Sequence, residues 1–272
     1  MQLTVRKPAV AGRFYPADAP RLIDQVRRCF NEADLAPGDA VRAVVVPHAG
    51  YPYSGVTAAH AFKRASGTAP TRIILMGCSH HAPIETGAIW TAGAFETPLG
   101  DFPVDQPFAE ALADRIGNTM PEAHVPEHSL EVQLPFIAEC FGLVPIVPIL
   151  FGPTPDAGHV RAGQTIADMM EPDDLLVCST DLSHYLTESE ANTIDRRSLE
   201  AVLTKDIVGY VQGIEAREYA MCGAPAVVAV MAAALAANAD DWRLLDYRTS
   251  AAASGDTTRV VGYGAISMEH AS

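Results

Sequence analysis

Three short apolar runs in this chain each release a histidine, the side chain most often recruited to bind metals and to move protons near neutrality. Ala43–Val46 leads to Pro47 and His48; Ile73–Met76 leads to Gly77, Cys78, Ser79, His80 and His81; Leu175–Val177 leads through Asp181 to His184. Unbroken apolar runs of this length fit strands buried on both faces. Open α/β sheets build their sites at the carboxyl ends of such strands. Three strand ends that each deliver an imidazole predict one shared site. Cys222 adds a thiol, in Met221-Cys222-Gly223-Ala224-Pro225 ahead of the apolar run Ala226–Leu235. Pro225 suits a first helical turn, which puts Cys222 at a helix N-terminus. Backbone amides there favour a thiolate by about 0.3–1 kcal/mol. Such a thiolate serves as a metal ligand or as a nucleophile. Asp181, three residues before His184, is placed to orient that imidazole for general acid–base work.

The remaining cysteines divide by context. Cys29, Cys140 and Cys178 read as packing residues, whereas Cys78 lies two residues from His80 and is expected to approach Cys222 across the site. His81 is adjacent to His80 and is expected to point elsewhere. Imidazole and thiolate donors form a soft set, suited to Cu(I), Zn(II) or Fe(II) and poorly suited to Mg(II) or Ca(II).

The elements that must position these groups follow from local pattern. Asp18 reads as the cap of an amphipathic helix running to about Ala33, with Pro20 in its first turn. Gly50–Gly55 is turn-rich, and Thr57–Arg64 reads as a helix. Ala88–Thr91 reads as a strand, Phe95–Asp101 as a turn-bounded loop and Pro107–Ile116 as a helix. Glu127–Leu134 is expected to open a helix capped by Ser129, with Glu131 near its positive end. Val144–Phe151 contains two prolines and reads as an edge or irregular strand. Gly163–Met170, Leu199–Val208 and the run from Ala224 read as helices; Leu244–Thr249 and Val260–Met268 read as closing strands. Strand and helix alternate throughout, so the expectation is one α/β domain over residues 1–272 with helices on both faces of a sheet.

Composition narrows the function classes. The formal charge of −14 and the sequence pI near 4.9 argue against a nucleic-acid partner. No run approaches the ~20 apolar residues that span a bilayer, and the first residues lack the apolar core of a signal peptide. Five cysteines without framework spacing suit a reducing cytoplasm.

The segments AVAGRFYP, VVVPHAGYPYSG, GCSHHAP, EHSLEVQLPF, CSTDLSHY and MCGAP, in this order, resemble the Memo family over essentially the whole chain. That family is similar to the class III extradiol dioxygenases. The resemblance implies a three-layer α/β/α sandwich around a central mixed sheet. It implies His48, His80 and Cys222 as ligands of one non-haem metal ion, iron or copper first and zinc next, with Cys222 where the dioxygenases have a carboxylate. It also implies His184 as the acid–base group, with Asp181 in the same motif, His128 as a further catalytic histidine, and Phe14 and Tyr53 lining the substrate cleft. The function implied is a metal-dependent oxidoreductase acting on a small aromatic or redox substrate. Two other readings use the same cleft: a ligand- or peptide-binding module without turnover, and a metal-free cysteine hydrolase or transferase. The resemblance further implies a radical-SAM pathway partner. One departure is specific to this chain: Cys78 stands where the GPSHH form of the motif has proline.

Overall fold

Four apolar strands lie side by side and parallel at the middle of the molecule: Val41–Val46, Asp174–Ser179, Arg72–Cys78 and Ile146–Phe151. The structure is a computed structural model that describes residues 5–271. Val260–Glu269 extends the sheet antiparallel beside Val41–Val46, and Gly87–Ile89 extends it antiparallel beside Ile146–Phe151. Further strands at either end complete a nine-stranded mixed sheet among the described residues. A separate three-stranded sheet joins Val5–Arg6, Ala94–Thr97 and Gly100–Pro103.

Nearly every residue of the four central strands is buried, which requires apolar cover on both faces. On one face the Ala224–Ala236 helix crosses all four strands, and Ala157–Met169 packs on it. That helix is built from Ala, Val and Met and is buried all round, so it has no polar face to turn to water. On the other face Tyr51–Ala65 packs on the sheet, joined by Ala19–Glu32 and Leu134–Phe141. Helices flanking a large mixed sheet is the architecture expected from the sequence. No helix among the described residues is long and apolar enough to cross a membrane.

Asp18 caps the first of these helices, its carboxylate accepting the Arg21 N–H at 3.1 Å. Elsewhere the structure corrects the local reading. The second helix starts at Tyr51, not Thr57, because Pro52 falls in its first turn, and Ser54 Oγ donates back to the Ala49 carbonyl. Phe95–Asp101 is mostly hairpin: Ala94–Thr97 pairs with Gly100–Pro103. Glu188–Leu203 is helical where only Leu199–Val208 was expected, and Ile207–Glu215 forms a separate helix. The capping box formed by Thr187 and Glu190 was a legible signal for that earlier start.

Ile146–Phe151 is interior rather than an edge strand. The Pro148 carbonyl accepts from Trp90 N–H at 3.1 Å, so its imide nitrogen faces the same side, just past Ile89, where the short neighbouring strand ends. The missing N–H therefore falls opposite Trp90, one residue beyond the neighbouring strand, at the end of the ladder.

Glu127–Leu134 is not a capped helix. It is an irregular turn leading to a 3₁₀ turn at Glu131–Gln133, and Ser129 makes no cap: its hydroxyl donates to the Cys78 carbonyl at 2.8 Å. Glu131 is wholly buried. Its carboxylate pairs with the Arg6 guanidinium and accepts from Ala9 N–H (2.7 Å), Val10 N–H (3.0 Å) and Tyr15 OH (2.6 Å). Arg6 is also buried, donating to the carbonyls of His124 and Glu127. This ionic knot ties the N-terminal segment under the loop that carries Glu127 and His128.

Candidate metal centre

The site lies at the carboxyl ends of three adjacent parallel strands. His48 follows Val41–Val46, Cys78 and His80 end and follow Arg72–Cys78, and Thr180 and Asp181 follow the Asp174–Ser179 strand between them. His48 is fully enclosed, and its backbone N–H donates to Asp181 Oδ1 at 2.7 Å.

The hydrogen-bond network fixes the tautomer of His48. Gln133 Nε2 donates both to the Pro47 carbonyl (2.9 Å) and to Ser179 Oγ (2.9 Å). The Ser179 hydroxyl donates its one proton to the Ser129 carbonyl at 2.6 Å. Its remaining partner, His48 Nδ1 at 3.0 Å, must therefore be the donor. Nδ1 therefore carries a proton, and Nε2 faces Cys222 Sγ, 3.2 Å away.

His80 is fixed in the same sense by a carboxylate. Glu127 is buried and accepts from His80 N–H (2.6 Å), His80 Nδ1 (2.9 Å), His128 N–H (2.8 Å) and Ser129 N–H (2.8 Å). Burial opposes its charge, but these donors prevail and hold the carboxyl well below the usual carboxylate range. His80 thus donates from Nδ1 and presents Nε2 to the cluster. Gly77 allows the loop this close: a Cβ there would stand 2.8 Å from both Ser129 Oγ and Leu130 Cδ2.

Cys222 precedes the cap of the Ala224–Ala236 helix. Its backbone N–H donates to the Asp181 carbonyl at 3.1 Å, and Gly223 N–H donates to Thr180 Oγ1 at 2.9 Å. Gly223 packs so tightly on that strand end that a Cβ would meet the Ser179 carbonyl oxygen and Thr180 Cβ at 2.8 Å. The sulfur accepts from Asp181 N–H at 3.2 Å. The amide at the thiolate is therefore that of Asp181, a donor the helix-terminus reading of the sequence did not identify. The neighbouring Cys78 thiol, opposed by burial and joined by His48 and His80, holds the Cys222 thiol well below its usual range.

His48, Cys78, His80 and Cys222 bring their ligand-capable atoms within 4.8 Å of one another. The donor chemistry fits a transition metal: two imidazoles with Nδ1 protonated and Nε2 turned inward, beside a thiolate. Outer partners of this kind commonly lock metal-binding histidines. His80, Glu127 and His128 form a second, overlapping group.

The other residues singled out from sequence take these places. His128 stacks on His80 (centroids 4.6 Å) and meets Phe14 edge-on at 4.8 Å. Burial, helped by the nearby His48, pulls His128 down to about 3 and keeps it neutral. His184 is exposed, its Nδ1 donating to the Leu182 carbonyl at 2.9 Å. Asp181 accepts from His48 N–H, so the group that orients the His184 ring is the Leu182 carbonyl. Tyr53 is 46% exposed in the first turn of its helix. His81 is exposed and belongs to neither donor group. Sequence reasoning missed Glu127, Ser179 and Gln133, which carry no metal-ligand spacing.

Glu127→Gln places an amide NH₂ among donors that all require an acceptor. Metal affinity is expected to fall about 10–100-fold, as for other outer partners of histidine ligands. Chelator competition measures it; an unchanged Kd would mean that Glu127 does not position His80.

A family model described as a Memo-like protein matches residues 6–267. A MEMO1 family protein from Methanopyrus kandleri is 38% identical over 282 residues, covering 96% of this chain and 98% of its own. Another from Methanosarcina acetivorans is 33% identical over 271 residues, covering 98% of this chain and all of its own. A solved structure of an uncharacterized protein from Escherichia coli K12 is 12% identical, with a TM-score of 0.48 over 82% of this chain and 99% of that one.

Proposed function

The chain belongs to the Memo family, and from that premise and the geometry above we propose that it is a metal-dependent oxidoreductase. It holds one iron, copper or zinc ion through His48, His80 and Cys222 and acts on a small aromatic or redox-active substrate. The observation that carries this reading is the convergence of two Nε2 atoms, each on a ring fixed by a hydrogen bond at Nδ1, on the Cys222 sulfur. When bound, the ion supplies Lewis-acid or one-electron chemistry.

The chain's own groups do the rest. Asp181 positions the site from behind, holding the His48 backbone through its carboxylate and Cys222 Sγ through its N–H. His184 keeps its proton on Nδ1 for the Leu182 carbonyl, which leaves Nε2 of this exposed ring to take and return a proton. Phe14, edge-on to His128, walls the approach, and the family motif assigns Tyr53 to the same cleft. All five cysteines are free thiols, which supports a reducing compartment such as the cytoplasm.

His184→Ala tests the division of roles. The variant is expected to keep stoichiometric metal while losing any turnover, or its pH dependence near neutrality. Loss of the metal from this variant would make His184 a ligand and overturn the assignment.

The 3.2 Å contact between Cys222 Sγ and His48 Nε2 favours a second reading, a cysteine nucleophile with a histidine base. The two separate cleanly: hydrolase or transferase activity survives a chelator, whereas metal-dependent oxidation does not.

A further inference from the structure

We propose that Cys78 is a fourth ligand, so that the ion sits in a closed cage of two imidazoles and two thiolates suited to Zn(II) or Cu(I). The inference rests on the reading that His48, His80 and Cys222 hold a metal. It adds a donor that proline, at the same place in the GPSHH form of the motif, does not have.

The position of Cys78 is set by the sheet. It is the last residue of Arg72–Cys78, pairs with Phe151, and is 2% exposed. Its carbonyl accepts from Ser129 Oγ at 2.8 Å, and the next residue, Ser79, donates its N–H to the Phe151 carbonyl at 2.9 Å. Strand alternation puts Gly77 on one face, against Ser129 and Leu130, and Cys78 on the other. Cys78 Sγ lies 3.6 Å from His80 Nε2, while Cys222 Sγ lies 3.2 Å from His48 Nε2.

Those spacings can be compared with what an ion would require. Tetrahedral zinc with metal–sulfur bonds of about 2.3 Å and metal–nitrogen bonds of about 2.0–2.1 Å needs donor–donor edges of about 3.3–3.8 Å. The four ligand atoms, all within 4.8 Å of one another, reach that geometry through small side-chain adjustments. Cys29, Cys140 and Cys178 belong to neither donor group, so Cys78 is the second sulfur available. Loading exchanges the Cys78 S–H bond for a sulfur–metal bond and releases the proton to solvent, with no change of oxidation state. In such a cage an outside ligand reaches the ion only by displacing Cys78.

X-ray absorption on the reduced, Zn(II)-loaded protein tests this directly. Two sulfur and two nitrogen scatterers are expected for the unaltered chain, and one sulfur for Cys78→Ala. With Co(II), the variant should lose about half of the thiolate-to-cobalt absorption and should bind azide, which the unaltered chain excludes. One sulfur in the unaltered, fully loaded protein overturns the inference and leaves the three-ligand reading standing. Two sulfurs persisting in Cys78→Ala overturn it as well. Failure of the unaltered chain to take up Zn(II), Co(II) or Cu(I) removes both readings. The unaltered protein's spectrum decides the matter even if the variant misfolds.

Discussion

Cys222→Ala protein should bind its metal more than about 100-fold more weakly than the unaltered chain, beyond the about 10–100-fold that outer partners cost. Cys222 is the sulfur that is already charged before an ion arrives, and without it the metal-free site offers two imidazoles and the protonated Cys78 thiol. The substitution should not unfold the protein, because Cys222 is held through its backbone N–H and Gly223, neither of which changes. A pH series gives the same prediction a sign. Burial opposes protonation of His48, but the Cys222 thiolate and Asp181 raise it to about 9 in the metal-free protein. His80, also opposed by burial, is raised to about 10 by hydrogen bonds to Cys222 and Glu127. Metal must displace these protons from Nε2, so affinity should climb as the pH rises to about 9–10. In Cys222→Ala the slope should be shallower, since the charge that raised both imidazoles is gone. Full metal stoichiometry and an unchanged Kd in this variant would remove Cys222 from the site.

The largest expected loss of stability lies away from the ligands, at Glu131→Ala. The substitution leaves the buried Arg6 guanidinium without its countercharge and strips the acceptor from Ala9 N–H, Val10 N–H and Tyr15 OH. Breaking a buried ion pair from one side costs about 3–5 kcal/mol. Denaturant unfolding should show that loss, and the double variant Arg6→Met with Glu131→Met should recover part of it. Because Arg6 also donates to the Glu127 carbonyl, the single variant should bind metal more weakly as well. A loss below about 1 kcal/mol, the range of an exposed pair, would show that water reaches the knot.

Much of the sheet was legible because strands such as Ile73–Met76 are continuous apolar runs, a signal carried within a few adjacent residues. His48, His80 and Cys222 stood out for the same reason, each directly beyond such a run or before one. The supporting network was not legible. Gln133 reaches Ser179 across 46 residues and Arg6 reaches Glu131 across 125, and no local period announces pairings of that range. Glu131 looked like an ordinary first-turn acid because its partners are backbone amides brought in from the N-terminal segment. Pro148 misled for the opposite reason: its local rule is sound, but the ladder happens to end beside it.

The strand Asp174–Ser179 lies between Val41–Val46 and Arg72–Cys78, both of which precede it by about a hundred residues or more. During synthesis, the first half of the chain carries His48, Cys78 and His80, yet the sheet that aligns them has an open slot. Closing it means inserting a late strand between two early ones, a long-range step that is intrinsically slow. Ser179, which sets the His48 tautomer, arrives only with that strand, and Cys222 arrives later still. The donor set is therefore complete only in a chain whose central sheet has closed around its late strand.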